Sequence, residues 1–351
     1  MVLCPLEWAH VPKFDSPAGK PGVITEQDEL IYGKNAVLAY LERTEDGVSS
    51  DYGKLKQAFQ READQDEPPS EEQKLLEKEI QEALKKLRKE TGHTLTLPNI
   101  KQLEHLPTVK VNKILLATGG EHDGRVEKIK SLARKQKIPI QSCDKRKLDQ
   151  IAGPQRRHQG VVALISPAEM WGLDTFLQKM VLDRISRELD GKNMDGYMVA
   201  VLDGIEDPHN LGAIIRVAEA AGVKAILIPQ RRAAGLTGTV AKISAGALAT
   251  MPVVRVSNLV QAIETLKKYG FWVAALDLDG EQFYTEADLL RPLVIVIGSE
   301  GQGVGRLVKE HCDLLVKIPM LGKTESLNAS VAAGIFFYEV VRQTQLRDGR
   351  K

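Results

Sequence analysis

Leu293-Val294-Ile295-Val296-Ile297-Gly298-Ser299-Glu300-Gly301-Gln302-Gly303-Val304-Gly305 is an apolar run that passes straight into a glycine-rich loop carrying one carboxylate. A short run with no polar alternation predicts a strand buried on both faces. The same phrase, apolar strand then polar loop then helix, recurs from Tyr197 onward. Strands are predicted at 197–202, 225–229, 252–256, 271–276, 293–298 and 313–318, and helices near 211–221, 237–249, 258–269, 304–311 and 327–343. This alternation predicts an α/β domain over residues 195–351, with a mostly parallel sheet covered on both faces.

Upstream the text divides further. Residues 1–28 are rich in Pro, Gly and polar groups and read as a flexible tail. From Glu29 a strand end, a glycine turn at Gly33 and an amphipathic helix are expected. Residues 109–166 return to an α/β rhythm, with strands at 114–117, 138–140 and 160–165 and a helix at 125–137. Residues 29–166 thus form a smaller α/β domain, and 167–194 a linker carrying a helix near 173–189. Residues 44–108 look inserted: after Pro68-Pro69, Ser70 and Gln73 make a capping box. The helix that follows, about 71–90, sets Leu76, Ile80, Ala83 and Leu87 in one stripe. That stripe predicts an accessory helix packed on its own domain or on a partner.

The whole chain of 351 residues carries 48 Lys and Arg against 47 Asp and Glu, a net charge of only +1, so any nucleic-acid surface must come from local segregation of charge. Such segregation exists. Between Arg125 and Arg157 eleven cations meet three acids, whereas residues 44–92 hold thirteen acids and nine bases. Clustered cations release counterions from a phosphate backbone. A solvated helix face is the plainer reading, but few acids neutralise Lys145, Arg146, Arg156, Arg157 and His158, and these are the expected RNA contacts. The 3 cysteines, Cys4, Cys143 and Cys312, are far apart and suit neither a disulfide framework nor a metal site. With no apolar run long enough to span a bilayer and no signal-peptide core, a cytoplasmic location is expected, or an organellar one if the tail at 1–28 is a targeting segment.

Two further segments accompany the glycine loop. In Leu202-Asp203-Gly204-Ile205-Glu206-Asp207-Pro208-His209-Asn210-Leu211-Gly212 a strand ends and a helix starts, with Asn210 as the expected N-cap. Arg216 then is the one cation in a helix, 211–221, of mostly small and apolar residues. In Ile318-Pro319-Met320-Leu321-Gly322-Lys323-Thr324-Glu325-Ser326-Leu327-Asn328 a strand ends in a loop, and Ser326 and Asn328 open a long helix. Taken singly, these are a cap, an ion-pairing arginine and an ordinary turn. Gly322-Lys323-Thr324 is no phosphate loop, because Lys317 stands where the first glycine is required, and the 298–305 spacing does not fit the dinucleotide fingerprint. ATP and nicotinamide enzymes are thereby disfavoured.

Together, Asp207-Pro208-His209-Asn210-Leu211-Gly212 with Arg216, Gly298-Ser299-Glu300-Gly301 and Ser326-Leu327-Asn328 resemble the signature of the SpoU/TrmH branch of the SPOUT RNA methyltransferases. Ile31-Tyr32-Gly33 and His158-Gln159-Gly160 are similar to that family's small N-terminal substrate domain, of ribosomal L30e type. The stretch Thr239-Val240-Ala241-Lys242-Ile243-Ser244-Ala245-Gly246-Ala247 most resembles the subfamily that methylates guanosine 2′-hydroxyls of 23S rRNA. The insert at 44–108 departs from the compact pattern. The resemblance implies a deep trefoil knot near the C-terminus, a homodimer, S-adenosylmethionine as methyl donor and no metal. It also implies cofactor contacts from Gly298, Ile318 and Leu327.

The resemblance further implies a catalytic set of Asn210, Arg216, Glu300, Ser326 and Asn328. Methyl transfer from a sulfonium is an in-line displacement, so the ribose 2′-hydroxyl must be aligned and relieved of its proton. A guanidinium stays protonated and makes a poor base. Arg216 is therefore expected to clamp a phosphate and stabilise the developing alkoxide. Asn210 would orient the ribose or Arg216, Glu300 would fix the loop, and Ser326 and Asn328 would position the ribose and close the cofactor loop. Two alternatives stay open: the same reaction on tRNA, and an RNA-binding assembly factor without catalysis.

Overall fold

The computed structural model describes residues 29–46, 71–92, 110–118, 123–153, 157–166 and 168–349. The expected tail at 1–28, and the parts of the insert at 47–70 and 93–109, lie outside the described residues.

The small domain contains β1 (Glu29–Tyr32), α1 (Lys34–Asp46), α2 (Glu71–Thr91), β2 (Val111–Ala117), α3 (Gly124–Lys135), β3 (Ile140–Cys143), α4 (Lys145–Ala152) and β4 (Val161–Ile165). Its sheet has the order β1-β4-β2-β3. The continuously apolar β4 is central, buried along its length and antiparallel to both neighbours, while β2 and β3 run parallel. Gly33, at φ +99°, makes the sharp exit from β1, and its N–H is held by the Val161 carbonyl at 3.0 Å. The third strand begins at Ile140 rather than 138, after Lys137 in a left-handed conformation and Pro139. The basic run 145–147 sits on α4, which charge alone did not announce. Its signals were Asp144, whose carboxylate caps the helix by accepting from Arg146 N–H, and the i, i+4 pair Leu148 and Ala152, both buried.

The accessory helix α2 does form, and its apolar stripe packs on the bridging helix α5 (Leu173–Leu189). Ile80, Ala83, Leu84 and Leu87 share one core cluster with Phe176, Leu177 and Met180. Ion pairs Lys86–Glu188 at 2.5 Å and Arg184–Glu90 at 3.0 Å flank the seam. Full burial of each large aliphatic side chain stabilises this seam by about 1.5–3 kcal/mol, well above the about 0–1 kcal/mol of a surface ion pair.

The C-terminal domain follows as β5 (Met198–Asp203), α6 (Pro208–Ala220), β6 (Ile226–Pro229), α7 (Gly238–Ile243), a 3-10 turn (Ala247–Ala249), β7 (Val253–Val256), α8 (Leu259–Lys268), β8 (Trp272–Leu276), β9 (Gln282–Phe283), β10 (Leu293–Gly298), α9 (Arg306–Glu310), β11 (Leu314–Lys317) and α10 (Ala329–Arg347). The seven strands are all parallel, in the order β7-β6-β5-β10-β8-β11-β9. Alternate residues of β5 and β10 feed opposite cores: Met198, Ala200, Leu202, Leu293, Ile295 and Ile297 on one face, Val199, Val201, Val294 and Val296 on the other. This two-sided burial is what the unbroken apolar runs predict. The helix expected at 237–249 is interrupted. Ala245 and Gly246 have φ of +49° and +87°, and a Cβ on Gly246 would stand 3.1 Å from Ala39 of α1. The break thus lets the backbone approach the small domain, where Lys242 Nζ also donates to the Tyr32 hydroxyl at 2.8 Å.

Cys312, behind β11, lies in apolar surroundings, and burial pushes its thiol up to about 12. The thiolate needed for reaction is then scarce at mildly alkaline pH. Alkylation at pH 8, read by mass spectrometry, should leave Cys312 unmodified in the folded protein and modify it after denaturation.

Candidate active site

Leu202, Ile297, Leu276 and Val316 lie in one row across β5, β10, β8 and β11. One residue further on, three of these parallel strands end at Asp203, Gly298 and Lys317, and Asp277 directly follows the end of β8. All three sequence segments therefore emerge along one sheet edge, the carboxyl end, where open α/β sheets bind ligands.

The first segment differs from expectation in its cap. Asp207 caps α6, with Oδ1 accepting from His209 N–H at 2.9 Å, and Pro208 takes the first helical position. Asn210 is inside the first turn, so its amide is released from capping. Its Nδ2 donates to Glu300 Oε1 at 2.8 Å, and its Oδ1 accepts from Asn328 Nδ2 at 2.8 Å. Asn328 Nδ2 also reaches Glu300 Oε1 at 2.6 Å, as does Ala329 N–H at 3.2 Å. Asn328 is the N-cap of α10, its Oδ1 accepting from Ser330 and Val331 N–H. One carboxylate oxygen thus gathers three donors from two helix starts, at ends where helix dipoles favour negative charge.

Ser326 and Arg216 stand outside this cluster. Ser326 is exposed in the loop before α10, not in the helix it was expected to open. Arg216 lies six residues beyond Asn210, about 120° round the helix and about 9 Å along it. It is exposed and makes no hydrogen bond or ion pair among the described residues. Glu300→Ala would remove the acceptor shared by Asn210, Asn328 and Ala329 N–H and leave only the Asn210–Asn328 bond between the two helix starts. Loss of hydrogen bonds to a charged acceptor is worth about 1.5–3 kcal/mol each, so if the cluster serves the methyl transfer that the resemblance implies, at least a tenfold fall in rate is expected, with Glu300→Gln milder because its carbonyl oxygen still accepts. Initial rates with RNA check this order.

The glycine loop closes on itself. Ser299 and Gly303 exchange backbone hydrogen bonds of 3.1 and 3.0 Å, and a Cβ on Gly298 would lie 2.1 Å from the Gly303 carbonyl carbon. Two carboxylates that the sequence reading passed over hold it. Asp203 Oδ2 accepts from Gly305 N–H at 2.8 Å. Asp277, nearly buried, pairs with Lys309 Nζ at 2.6 Å beneath Gly303. The available signal was a shared ending: both buried strands finish with Leu-Asp, at Leu202-Asp203 and Leu276-Asp277. Ile318 and Leu327, each half-buried, bracket an exposed loop. The main-chain groups of residues 318–327 make no hydrogen bond to other main-chain groups among the described residues.

In the small domain the two family-like segments meet: Lys34 N–H donates to Gln159 Oε1 at 3.2 Å. Lys145, Arg146 and Arg157 are exposed, and Arg156 lies outside the described residues. His158 corrects the expectation of an RNA contact. It is 3% exposed, its Nε2 is 2.8 Å from Asp149 Oδ1, and its Nδ1 accepts from Gly160 N–H. The imidazole therefore ties α4 to the start of β4. Among the described residues no group of side chains could hold a metal ion, and no helix is long and apolar enough to cross a membrane.

Comparison with known proteins agrees with this geometry. The sequence model of the SpoU rRNA Methylase family matches residues 197–338, and that for RNA 2′-O ribose methyltransferase substrate binding matches residues 101–171. A Staphylococcus haemolyticus protein named as a TrmH family tRNA/rRNA methyltransferase is 46% identical over 234 residues, covering 66% of this chain and 88% of its own. YacO of Bacillus subtilis, similarly named, is 47% identical over 220 residues, covering 63% and 84%. Among solved structures, the SpoU methyltransferase AviRb of Streptomyces viridochromogenes, in complex with AdoMet, superposes with a TM-score of 0.54 at 23% identity, over 76% of this chain and 97% of that one. An AdoMet-bound rRNA methyltransferase of Sinorhizobium meliloti gives 0.52 at 23%, over 76% and 94%. The chain, with its sheet edge of three convergent loops and its separate small domain, belongs to the SpoU/TrmH family of RNA methyltransferases.

Proposed function

We propose that the protein transfers a methyl group from S-adenosylmethionine to a ribose 2′-hydroxyl of RNA, on a guanosine of large-subunit rRNA, in the cytoplasm. The observation that carries this reading is the Asn210–Glu300–Asn328 cluster, which ties three strand-to-helix segments together at the carboxyl edge of the sheet. The family and its substrate-binding domain supply the reaction class. The guanosine and 23S-type target rests on the resemblance of residues 239–247, and tRNA is the alternative that the relatives' names leave open.

The residues present fit the donor. Gly298, Ile318 and Leu327 offer main-chain groups at the strand ends, and the unpaired backbone of 318–327 supplies donors and acceptors suited to an adenine edge. The exposed Leu278 and Leu321 add apolar surface beside β8 and β11. When bound, the sulfonium supplies an electrophilic methyl group. Glu300 holds Asn210 and Asn328 in place, Asn210 and Ser326 orient the ribose, and Asn328 fixes the start of α10. Arg216, exposed and outside its own chain's cluster, neutralises a phosphate and the developing alkoxide at the site of a second copy, so the homodimer belongs to this reading. The proton leaves to phosphate or water, because a guanidinium does not accept it. Lys145, Arg146 and Arg157 give the small domain a phosphate-binding face.

The test is incubation with methyl-labelled S-adenosylmethionine and total RNA from a strain lacking the enzyme, then nuclease digestion and mass spectrometry. Label in 2′-O-methylguanosine mapped to large-subunit rRNA is expected. Label on a base, or on tRNA alone, overturns the finer assignment, and no label on any RNA overturns the reaction.

A further inference from the structure

Between Glu219 and Glu264 the chain carries no acidic side chain but five cations: Lys224, Arg231, Arg232, Lys242 and Arg255. Four of them, all but Lys224, are exposed. Arg231 and Arg232 form the turn after β6, on the same sheet edge as the glycine loop. Arg232 reaches that loop, with Nη2 3.4 Å from Gln302 Oε1, and stands 3.9 Å from Glu206 in the loop after β5. It does so at φ +60°, a conformation that disfavours any side chain with a Cβ. Glycine would serve the turn without that strain, which marks the Arg232 side chain as a candidate for a role of its own.

The turn borders an open groove. Ala168, Met170 and Trp171 of the linker, then Gln230, Arg255 and Ser257 at the ends of β6 and β7, line a space of about 760 Å³, with Glu169 its one carboxylate. That volume lies within the about 300–1,000 Å³ of small-molecule sites. The linker is fixed there as an added edge: Trp171 N–H donates to the Val253 carbonyl at 2.8 Å and Arg255 N–H to the Trp171 carbonyl at 3.0 Å. The groove thus sets amide, hydroxyl and guanidinium groups beside the apolar Ala168, Met170 and Leu236, and its lining residue Gln230 is followed directly in the chain by Arg231 and Arg232.

We infer that this groove takes an unpaired nucleotide flanking the methylated one, with its phosphates on Arg231 and Arg232 and its base edge facing Gln230, Arg255 and Ser257. The inference rests on the RNA methyltransferase reading and extends it: the path runs from the catalytic loops along the sheet edge toward the linker, independent of the small domain's basic face.

Arg231→Ala, Arg255→Ala and Arg232→Gly test it, by anisotropy of a short labelled single-stranded RNA oligonucleotide across a salt series and by kinetics with total RNA. Each variant should raise the RNA Kd and KM severalfold; Arg231→Ala and Arg232→Gly, which each remove a phosphate contact, should reduce the slope of log K against log salt by about 0.7, and Arg255→Ala, on the base edge, should leave it unchanged. Binding of S-adenosylmethionine by Arg231→Ala and Arg255→Ala should stay within about twofold of the parent. Arg232→Gly should keep or raise Tm while weakening RNA binding, because it relieves the turn. Unchanged RNA affinity in Arg231→Ala and Arg255→Ala, or an unchanged salt slope in Arg231→Ala, would overturn the inference, as would a fall in Tm of Arg232→Gly that accounts for its whole loss of affinity. If the parent protein methylates no RNA, the reaction assignment fails, and the anisotropy series still decides whether RNA uses this groove.

Discussion

Arg216→Ala will lower methyl transfer to RNA by about 10²–10³-fold, the usual effect of removing one donor to a developing oxyanion. Binding of S-adenosylmethionine and Tm should hardly move. The basis is the isolation of this side chain: it is exposed on α6 and touches neither Glu300 nor Asn328 in its own chain. Surface substitutions of that kind change stability by about 0.5 kcal/mol or less. Arg216→Lys separates two roles. A planar guanidinium grips phosphate through two prongs and an ammonium does not, so lysine should rescue little. Substantial activity in Arg216→Lys would mean that only a point charge is required. Mixing Arg216→Ala with Asn210→Ala subunits gives a further check: shared sites across a dimer recover part of the activity, whereas self-contained sites recover none.

Gly298→Ala should be the most damaging small substitution in the protein. The new methyl group would lie 2.1 Å from the Gly303 carbonyl carbon and 2.3 Å from both its oxygen and the Val304 nitrogen. All three are backbone atoms, so no side-chain rotation relieves the clash and the loop itself must move. Overpacking of this kind costs about 1–3 kcal/mol, and about 1.4 kcal/mol lost from the bound state is tenfold in affinity. A drop in Tm of several degrees is expected, together with a fall of at least tenfold in S-adenosylmethionine affinity by calorimetry. Gly322→Ala is the control for stability, since nothing stands within 4 Å of its added carbon. Equal Tm for the two variants would show that the 298–303 loop yields easily.

The strands were legible because burial on both faces writes itself as unbroken apolar text, and β5, β10 and β11 fall within a residue of expectation. Loop convergence was legible only through the family resemblance, since spacing says nothing about which loops become neighbours. The misassigned cap has a local cause. Asp207 and Asn210 are both good capping residues, and Pro208, suited to a first helical position, was the sign that favours Asp207. The break in the helix at 244–246 has a distant cause, the approach of α1, and no window of sequence contains it. His158 was grouped with its basic neighbours although it ends up inside, because charge runs do not reveal which member turns inward.

The apolar core that joins Ile31, Val37, Tyr40 and Leu41 to Val240, Ala247 and Leu248 runs without a gap between the two halves. Neither half, produced alone from a truncated gene, would keep that surface dry, and each should aggregate or need detergent. Recombination that grafts a foreign recognition module onto residues 197–349 would have to bring its own substitute for Tyr40 and Leu41. The two parts thus share one dry interior, however separable their duties.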